Sequence, residues 1–215
     1  MGRFALSLLS FLMYVSLSAQ EVSGVEAQKL MADVSNRMDA YESLRVDFVM
    51  DVIVPGESES KEKGYLIQQK ENFIFDLESQ TIYSDGTAVW VHIKKDDEVQ
   101  INDPDFGDDG SLMSPGQIMR LYETEEFIYD IVNEDAKMVE VEFKPTEDLS
   151  DYSKIRLTVN TDKTQLEKIE MFYKDGMRIN MSISEFVIND IYSPETFTFD
   201  AAAFPGVYVE DLRID

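Results

Sequence analysis

The alternation of apolar and polar residues is the feature that most constrains how this chain can fold. Residues 44–54, LRVDFVMDVIV, carry an apolar side chain at every second position. Because successive side chains of a β-strand point to opposite faces, this spacing predicts a strand with one buried face. Turn residues such as Asp85-Gly86 favour hairpins between such segments. Ten further segments have strand composition, at residues 64–70, 72–77, 80–84, 87–93, 98–102, 126–132, 137–143, 154–160, 166–173 and 177–186.

Two segments have helical rather than strand spacing. The first begins at Ser23, which fits a capping box with Glu26. Its apolar residues recur at every third or fourth position, and they are Ala27, Leu30, Met31, Val34, Met38 and Tyr41. The second is short and begins at Pro115, a residue that suits the first helical position. Short, evenly spaced strands with these two helices predict one domain built on an antiparallel barrel or a strongly curved sheet.

The first 19 residues have the pattern of a secretory signal peptide. Arg3 precedes a nearly all-apolar stretch, residues 4–17, and small residues end at Ala19. This stretch is shorter than the about 20 residues that a membrane-spanning helix needs. We therefore predict a signal peptide at residues 1–19 and a mature domain at residues 20–215. The chain has no cysteine, which excludes disulfides, thiolate catalysis and lipid attachment at the cleavage site.

The charge balance bears on the choice of partner. The formal net charge is −24, and a field of this sign repels phosphate backbones and anionic membrane surfaces. Nucleic acid is therefore not a predicted partner. An acidic surface keeps an apolar binding protein in solution, and it can also attract a basic partner; the composition leaves both interpretations open.

The residues do not predict a catalytic site. His92, the one histidine, lies in a predicted strand close to Trp90, and without cysteines it cannot build a zinc site. The chain has no G-x-S-x-G motif for a nucleophilic serine. The acidic loop at residues 103–112 lacks the glutamate that a calcium-binding loop has at its twelfth position. We therefore predict that the protein is not an enzyme and has no cofactor and no metal site.

The apolar residues predict a cavity instead. Nine of the 11 methionines lie beyond the predicted signal peptide, and methionine adapts to irregular apolar shapes. Residues 72–77, 154–160 and 177–186 each carry their apolar side chains in one phase, which makes more apolar surface than two helices can readily cover. A curved sheet with such an inner face, closed by a helical lid, would enclose a hydrophobic cavity. A solid core is the alternative.

Several short motifs occur in a fixed order along the chain. They are Phe48 at the centre of LRVDFVM, the glycine and the N-x-F of GYLIQQKENFIF, then SDGTAVWVH, VEFKP and FTFDAAAFPGVYVED. Together they make residues 20–215 resemble the LolA family of outer-membrane lipoprotein carrier proteins. Two positions depart from the family's pattern. His92 stands where an aromatic residue is usual, and Lys70-Glu71 stand where the family has Arg-Pro.

The resemblance implies a mainly β fold with α, in which a strongly curved antiparallel sheet is covered by a helical lid. The sheet would be an unclosed β-barrel of about 11 strands. The implied function is that of a periplasmic carrier, monomeric, which moves lipoproteins from the inner to the outer membrane. Its partners would be acylated lipoproteins, an inner-membrane lipoprotein-releasing ABC transporter and an outer-membrane acceptor. A periplasmic lipid- or lipoprotein-sensing module of the same fold is the alternative.

The resemblance and the apolar phases together predict which residues hold the acyl chains. These residues are Met31, Val34, Met38, Phe48, Met50, Val52, Phe73, Phe75, Trp90, Met119, Leu157, Met177, Ile179 and Met181. Lys70 matches the family's arginine, which is tied to lid closure, so we predict that Lys70 controls the lid. Lysine keeps the positive charge but lacks the planar, multi-donor guanidinium.

Overall fold

The computed structural model describes residues 23–104, 115–147 and 151–213, and these form one open, curved sheet of 12 strands. The strands are β1 (Leu44–Ile53), β2 (Ser60–Gln69), β3 (Asn72–Leu77), β4 (Gln80–Ser84), β5 (Val89–Ile93), β6 (Glu98–Asn102), β7 (Phe127–Glu134), β8 (Met138–Pro145), β9 (Tyr152–Asn160), β10 (Gln165–Tyr173), β11 (Arg178–Ile188) and β12 (Tyr208–Asp211). Their spatial order is β12-β6-β5-β4-β3-β2-β1-β11-β10-β9-β8-β7. The predicted fold class is confirmed, with one strand more than the approximate count of 11.

The sheet consists of two antiparallel meanders that meet in its middle. Strands β1–β6 form one meander, β7–β11 form the other, and β1 pairs with β11 from Leu44↔Ile188 to Ile53↔Arg178. All 11 predicted strands are present, with ends that shift by a few residues. The twelfth strand, β12, has no counterpart in the predicted set. It pairs with β6 in parallel, and all its side chains are exposed, so its register depends on backbone bonds that no apolar pattern reveals.

Helix α1, residues 23–39, covers the inner face of β7–β10. Ala27, Met31 and Val34 of α1 have no exposed surface and pack on the fully buried Val141 and Leu157. Burying a side chain of the size of valine or methionine contributes about 1.5–3 kcal/mol, so this contact holds α1 on one half of the sheet. At its start, the Ser23 hydroxyl accepts a hydrogen bond from the backbone N–H of Ile131, at 3.2 Å.

The remaining helices are short. Helix α2 spans Pro115–Met119 and begins at the predicted proline, while the acidic loop at residues 105–114 lies outside the described residues. Within the described ranges there are three 3-10 helices, at Leu121–Glu123, Pro194–Phe197 and Ala201–Ala203. No helix in this part of the chain combines the length and the apolar character that crossing a membrane requires.

The C-terminal strap, which we define as residues 192–211, runs across the outer face of β2–β6. Phe197 of the strap is fully buried against Ile67 and Ile74. Further along, Phe199 and Phe204 stack on each other with ring centroids 5.1 Å apart. The strap ends as β12 on the edge of β6. The two halves of the sheet are therefore covered on opposite faces, one by α1 and the other by the strap.

His92 lies beneath this strap and makes no hydrogen bond through either ring nitrogen. The residue is 4% exposed, and its ring centroid lies 4.7 Å from that of Phe204 and 5.3 Å from that of Phe199. Burial lowers the pKa of His92 below its usual 6.5, with the charge of Asp97 raising the pKa and that of Lys94 lowering it further. The histidine is therefore held neutral and serves as a packing residue of the strap.

We expect the strap to be sensitive to acid through His92. Because the unfolded chain binds the proton more readily than the folded chain, the stability that neutral His92 provides is lost as the pH falls below about 6.5. The replacement His92→Phe should fill the same aromatic site, change the free energy of unfolding at neutral pH by less than about 1.5 kcal/mol, and flatten its dependence between pH 7 and 5. Denaturant unfolding at several pH values measures both quantities. Equal pH dependence of the variant and the wild type would contradict this role.

Candidate functional site

An apolar cavity lies where α1 does not reach. Helix α1 fills the inner face over β7–β10, whereas within the described residues the inner face of β1–β5 is reached only by Met38 and Tyr41, at and just after the end of α1. The resulting cavity has a volume of about 550 Å³, within the roughly 300–1,000 Å³ that is typical of ligand sites. Its position between the two meanders follows directly from the partial cover that α1 provides.

The floor of the cavity is built around Phe48 of β1. Its ring stacks on Phe75 of β3, with centroids 5.2 Å apart and an interplanar angle of 20°. Gly64 of β2, the cross-strand partner of Phe48, leaves room for that ring. A β-carbon at Gly64 would lie 2.8 Å from Cζ of Phe48, far inside van der Waals contact. The glycine of the GYLIQQK motif therefore sets how low Phe48 lies and how deep the cavity is.

The opposite wall comes from β9–β11 and the two helices. Met50 of β1 pairs with Met181 of β11, which in turn pairs with Ile169 of β10, so these three side chains form a row on the inner face. In β11 the register shifts between the partners of Asp47 and Phe48. Because of this bulge, Ile183 and Phe186 both line the cavity, although simple alternation would place them on opposite faces.

A few polar groups lie in this otherwise apolar wall. Tyr152 and Tyr173 contact each other with ring centroids 4.8 Å apart, at the opposite end of the cavity from Leu44. Burial and a hydrogen bond to Tyr152 raise the pKa of Tyr173, so its hydroxyl stays neutral. The amides of Gln68 and Gln80 also line the wall. An apolar surface with a few neutral polar groups suits a hydrocarbon chain that carries a few polar atoms.

The mouth of the cavity is a polar recess of about 700 Å³. It shares lining residues with the apolar cavity, among them Met38, Leu44 and Met119. Across it, Arg120 donates a hydrogen bond to Asp39 of α1 at 2.7 Å. The loop after β11 is fastened to the mouth by the Ser43 hydroxyl, which donates to the carbonyl of Asp190 at 2.6 Å, and by the Glu42 backbone N–H, which donates to the Asn189 side chain at 2.9 Å.

Lys70 lies at the edge of this mouth rather than in the apolar wall. It follows β2 in the two-residue turn to β3, with a left-handed φ of 58° that is uncommon for a residue with a side chain. Its side chain is exposed and lines the polar recess. Helix α1 contributes Ser35 and Asp39 to the same recess, so Lys70 faces the helix across the opening.

Eight of the predicted acyl-chain residues line the cavity. They are Met38, Phe48, Met50, Phe73, Phe75, Met119, Ile179 and Met181. All of them come from α1, α2 or the strand phases that the alternation marked as inner face. The structure brings this set together from elements that are far apart in the sequence.

Six predicted residues do not line the cavity. Met31, Val34 and Leu157 belong to the solid core between α1 and the sheet, each without exposed surface, because α1 seals that half. Trp90 points to the outer face, since it pairs with Tyr83 and Ile101 and its neighbours Val89 and Val91 take the inner phase.

Two of those six lie at the end of the β1–β11 pair that is remote from the mouth. Val52 is paired with Ile179 and so shares the inner face, but it lies beyond the cavity. Met177 precedes β11 in a turn, where its carbonyl accepts a hydrogen bond from the N–H of Tyr173. Val52 and Met177 fall outside the cavity because the cavity ends before it reaches them along the strands. The alternation of side chains does not report where a cavity ends.

Several lining residues were not predicted. They are Leu44, Val46, Leu66, Gln68, Glu71, Leu77, Gln80, Ile82, Ser84, Gly86, Val89, Pro104, Gln117, Ile118, Tyr152, Leu166, Ile169, Met171, Tyr173, Ile183 and Phe186. The alternation pattern does mark three of them as inner-face residues. Val46 is in phase with Phe48 in β1, and Ile169 and Met171 are in phase with each other in β10. In contrast, Phe186 reaches the wall only through the bulge in β11. Throughout the described ranges, no group of three or more potential metal-ligating side chains comes together.

Comparisons with known proteins agree with this architecture. A family model described as outer membrane lipoprotein carrier protein LolA matches residues 56–200. No protein of curated function matches the sequence. An uncharacterized conserved protein from Thermus thermophilus has a TM-score of 0.56 at 7% identity, covering 86% of this chain and 99% of its own.

Two further solved structures are similar to this chain. A DUF1329 family protein from Desulfovibrio piger has a TM-score of 0.50 at 12% identity, covering 85% of this chain and 99% of its own. A LolA superfamily protein from Nitrosomonas europaea has a TM-score of 0.42 at 14% identity, covering 81% and 98%. At these identities the likeness concerns the fold.

A charge on the inner face should abolish uptake of an apolar ligand without unfolding the protein. Met181→Glu places a carboxylate in the cavity, where water can hydrate it only while the cavity is empty. An unpaired charge against hydrocarbon costs several kcal/mol, so we expect at least a roughly tenfold loss of affinity for a fluorescent fatty acid. Titration of that fatty acid measures the effect.

Ser182→Glu is the matched control, because Ser182 is the next residue of β11 and is exposed on the outer face. It adds the same charge and should leave the affinity within about twofold. If Met181→Glu unfolds the protein while Ser182→Glu does not, the position is solid core and the cavity assignment fails.

Proposed function

The chain belongs to the family of the outer membrane lipoprotein carrier protein LolA, and we propose that it carries the acyl chains of lipoproteins across the periplasm from the inner to the outer membrane. The observation that carries this proposal is the apolar cavity of about 550 Å³ between the two meanders. In this proposal the cargo comes from an inner-membrane lipoprotein-releasing ABC transporter and passes to an outer-membrane acceptor. The carrier acts as a monomer.

The energetics of hydrocarbon explain why such a carrier is needed. Each methylene removed from water contributes about 0.8 kcal/mol, so a chain of about 16 carbons costs on the order of 12 kcal/mol to expose. A lipoprotein with more than one such chain does not leave a membrane unaided. The carrier has to recover most of this free energy when it binds and then give it up on delivery.

The cavity wall suits a ligand that must be both held and released. Met38, Met50, Met119, Met171 and Met181 all line it, and their flexible side chains adapt to chains of different shape. Binding proceeds by desolvation alone, and the carrier makes and breaks no covalent bond. In this scheme the acyl chains enter past Leu44 at the mouth and extend towards Tyr152 and Tyr173, while the polypeptide of the cargo stays outside.

Two measurements test the carrier function. The protein is isolated from the periplasm, and co-purifying acylated polypeptides are identified by mass spectrometry; we expect triacylated or diacylated lipoproteins in amounts close to that of the carrier. Depletion of the protein should then retain these lipoproteins in the inner membrane. Co-purification with normal sorting would favour a sensing module of the same fold, and the absence of acylated polypeptides would contradict both functions.

Lys70 is expected to act on transfer rather than on uptake. Lys70 and Asp39 of α1 both line the mouth, so the Lys70 ammonium can hold α1 near the sheet edge in the empty carrier. Lys70→Leu should leave fatty-acid uptake unchanged or tighter and slow the delivery of lipoprotein to acceptor membranes. Lys70→Arg should leave the rate of transfer close to that of the wild type, because it keeps the positive charge. Both replacements occupy the same left-handed backbone position, so a difference between them reports the charge. Lys63→Leu, exposed on β2 away from the mouth, is the control; equal transfer rates in all three variants would exclude a role for Lys70.

A further inference from the structure

Four cations crowd together on the outer face of the second meander. Lys144 of β8, Lys154 and Arg156 of β9, and Arg178 of β11 alternate with inward apolar residues, so they point away from the cavity. We call these four residues the basic cluster. Phe172 of β10 lies at its centre, paired with Lys154 on one side and with Arg178 on the other.

One buried carboxylate binds three members of the basic cluster. Glu142, whose side chain is 6% exposed, lies 2.6 Å from Arg156, 3.0 Å from Lys144 and 3.1 Å from Lys154. Burial alone would raise the pKa of Glu142, but the three cations together lower it to about 2. The cluster therefore already holds one carboxylate and keeps it ionised at every physiological pH.

The cluster nevertheless retains unused binding capacity. Arg178 is exposed, and within the described residues its guanidinium contacts only the ring of Phe172, at 5.5 Å from the centroid. Lys154 and Arg156 lie over the same ring, at 4.9 Å and 5.6 Å. The Lys144 side chain is 57% exposed. Glu170, the cross-strand partner of Arg156, is already bound by Lys168 at 2.7 Å. Within the described residues, Arg178 therefore has an aromatic ring but no carboxylate as a neighbouring partner.

Such crowding is unexpected in this chain. It has 43 acidic and 19 basic residues, so carboxylates that could neutralise each cation are abundant. Like charges held close together repel each other and destabilise the fold. The basic cluster persists although it destabilises the fold, and within the described residues the Arg178 guanidinium has no ion pair. Such a cluster is suited to bind anionic groups of another molecule.

We propose that the basic cluster is a docking surface for a carboxylate-rich segment of a partner protein. Arg178 would bind a carboxylate with two parallel hydrogen bonds, and Lys144 and Lys154 would bind neighbouring acidic side chains. Ile128 of β7, 62% exposed and paired with Lys144, supplies an apolar contact at one side. The resulting surface is a row that runs across the strands from Ile128 to Arg178.

The position of the cluster favours a protein over a lipid surface. Arg178 pairs with Ile53, at the end of β1 that is remote from Leu44 and the mouth, and the cluster is on the opposite face from the cavity. A membrane bound there would lie away from the opening through which cargo passes. Moreover, an extended anionic membrane would meet the field of a protein of net charge −24, whereas a short acidic segment meets mainly the local positive charge.

The test uses a fluorescently labelled oligoglutamate peptide as the probe and the full mature chain as the receptor. Fluorescence anisotropy measures binding at low and at high salt. We expect salt-sensitive binding to the wild type and a loss of about tenfold in the double variant Lys154→Gln/Arg178→Gln. The control, Lys137→Gln/Lys163→Gln, removes the same charge from exposed lysines in the turns at the other end of β8–β10 and should change affinity by less than about twofold.

Every outcome of this comparison bears on the proposal. Failure of the peptide to bind the wild type, or equal losses in both double variants, would overturn it. Cluster-dependent binding of phosphatidylglycerol vesicles without binding of the peptide would assign the surface to lipid and reject the protein partner. If the double variant does not fold, Arg178→Gln alone replaces it, because Arg178 is exposed and outside the Glu142 network. Fatty-acid uptake should be unchanged in all variants, which separates this surface from the carrier function.

Discussion

The incomplete cover of one sheet by one helix is the constraint on which the rest of the structure depends. A sheet of 12 strands has an inner face far longer than a helix of residues 23–39 can shield. Helix α1 settles over β7–β10, where Met31 and Val34 become fully buried. Within the described residues, the remaining apolar surface meets only the last turn of α1, at Met38, and the short helix α2, so a cavity forms beside a solid core within the same domain.

The two halves of the sheet bury their apolar side chains against different parts of the chain. The first meander is covered on its outer face by the C-terminal strap, with Phe197 buried against Ile67 and Ile74, and its inner face lines the cavity. The second meander is filled on its inner face and carries charged side chains outside, with Glu142 and its cations at the centre. Each half therefore has one face that is covered by another part of the chain and one face that is not. This division explains how a protein with a large empty volume remains folded.

Much of this arrangement could be predicted from the sequence, because side-chain alternation reports which face of a strand is apolar. The strands and the inward phase of Phe48, Phe75 and Met181 follow from it directly. Alternation does not report what covers that face, and for this reason it assigns Leu157 to the cavity although α1 seals that residue in. The reversed phase of Trp90 is hidden because its strand is apolar on both faces, with the strap on one side and the cavity on the other. The parallel edge strand β12 escapes prediction because exposed side chains leave no pattern.

The pairing of β1 with β11 has a consequence for how the protein folds. Each meander is built from neighbours in sequence and can form early, whereas the seam between them joins Leu44 to Ile188 and has to close a loop of most of the chain. Closing so long a loop costs entropy before its contacts form, so such seams are expected to assemble late. Met50 and Met181 face each other across this seam. The two walls of the cavity belong to different meanders, so the cavity exists only in a chain in which this seam has formed.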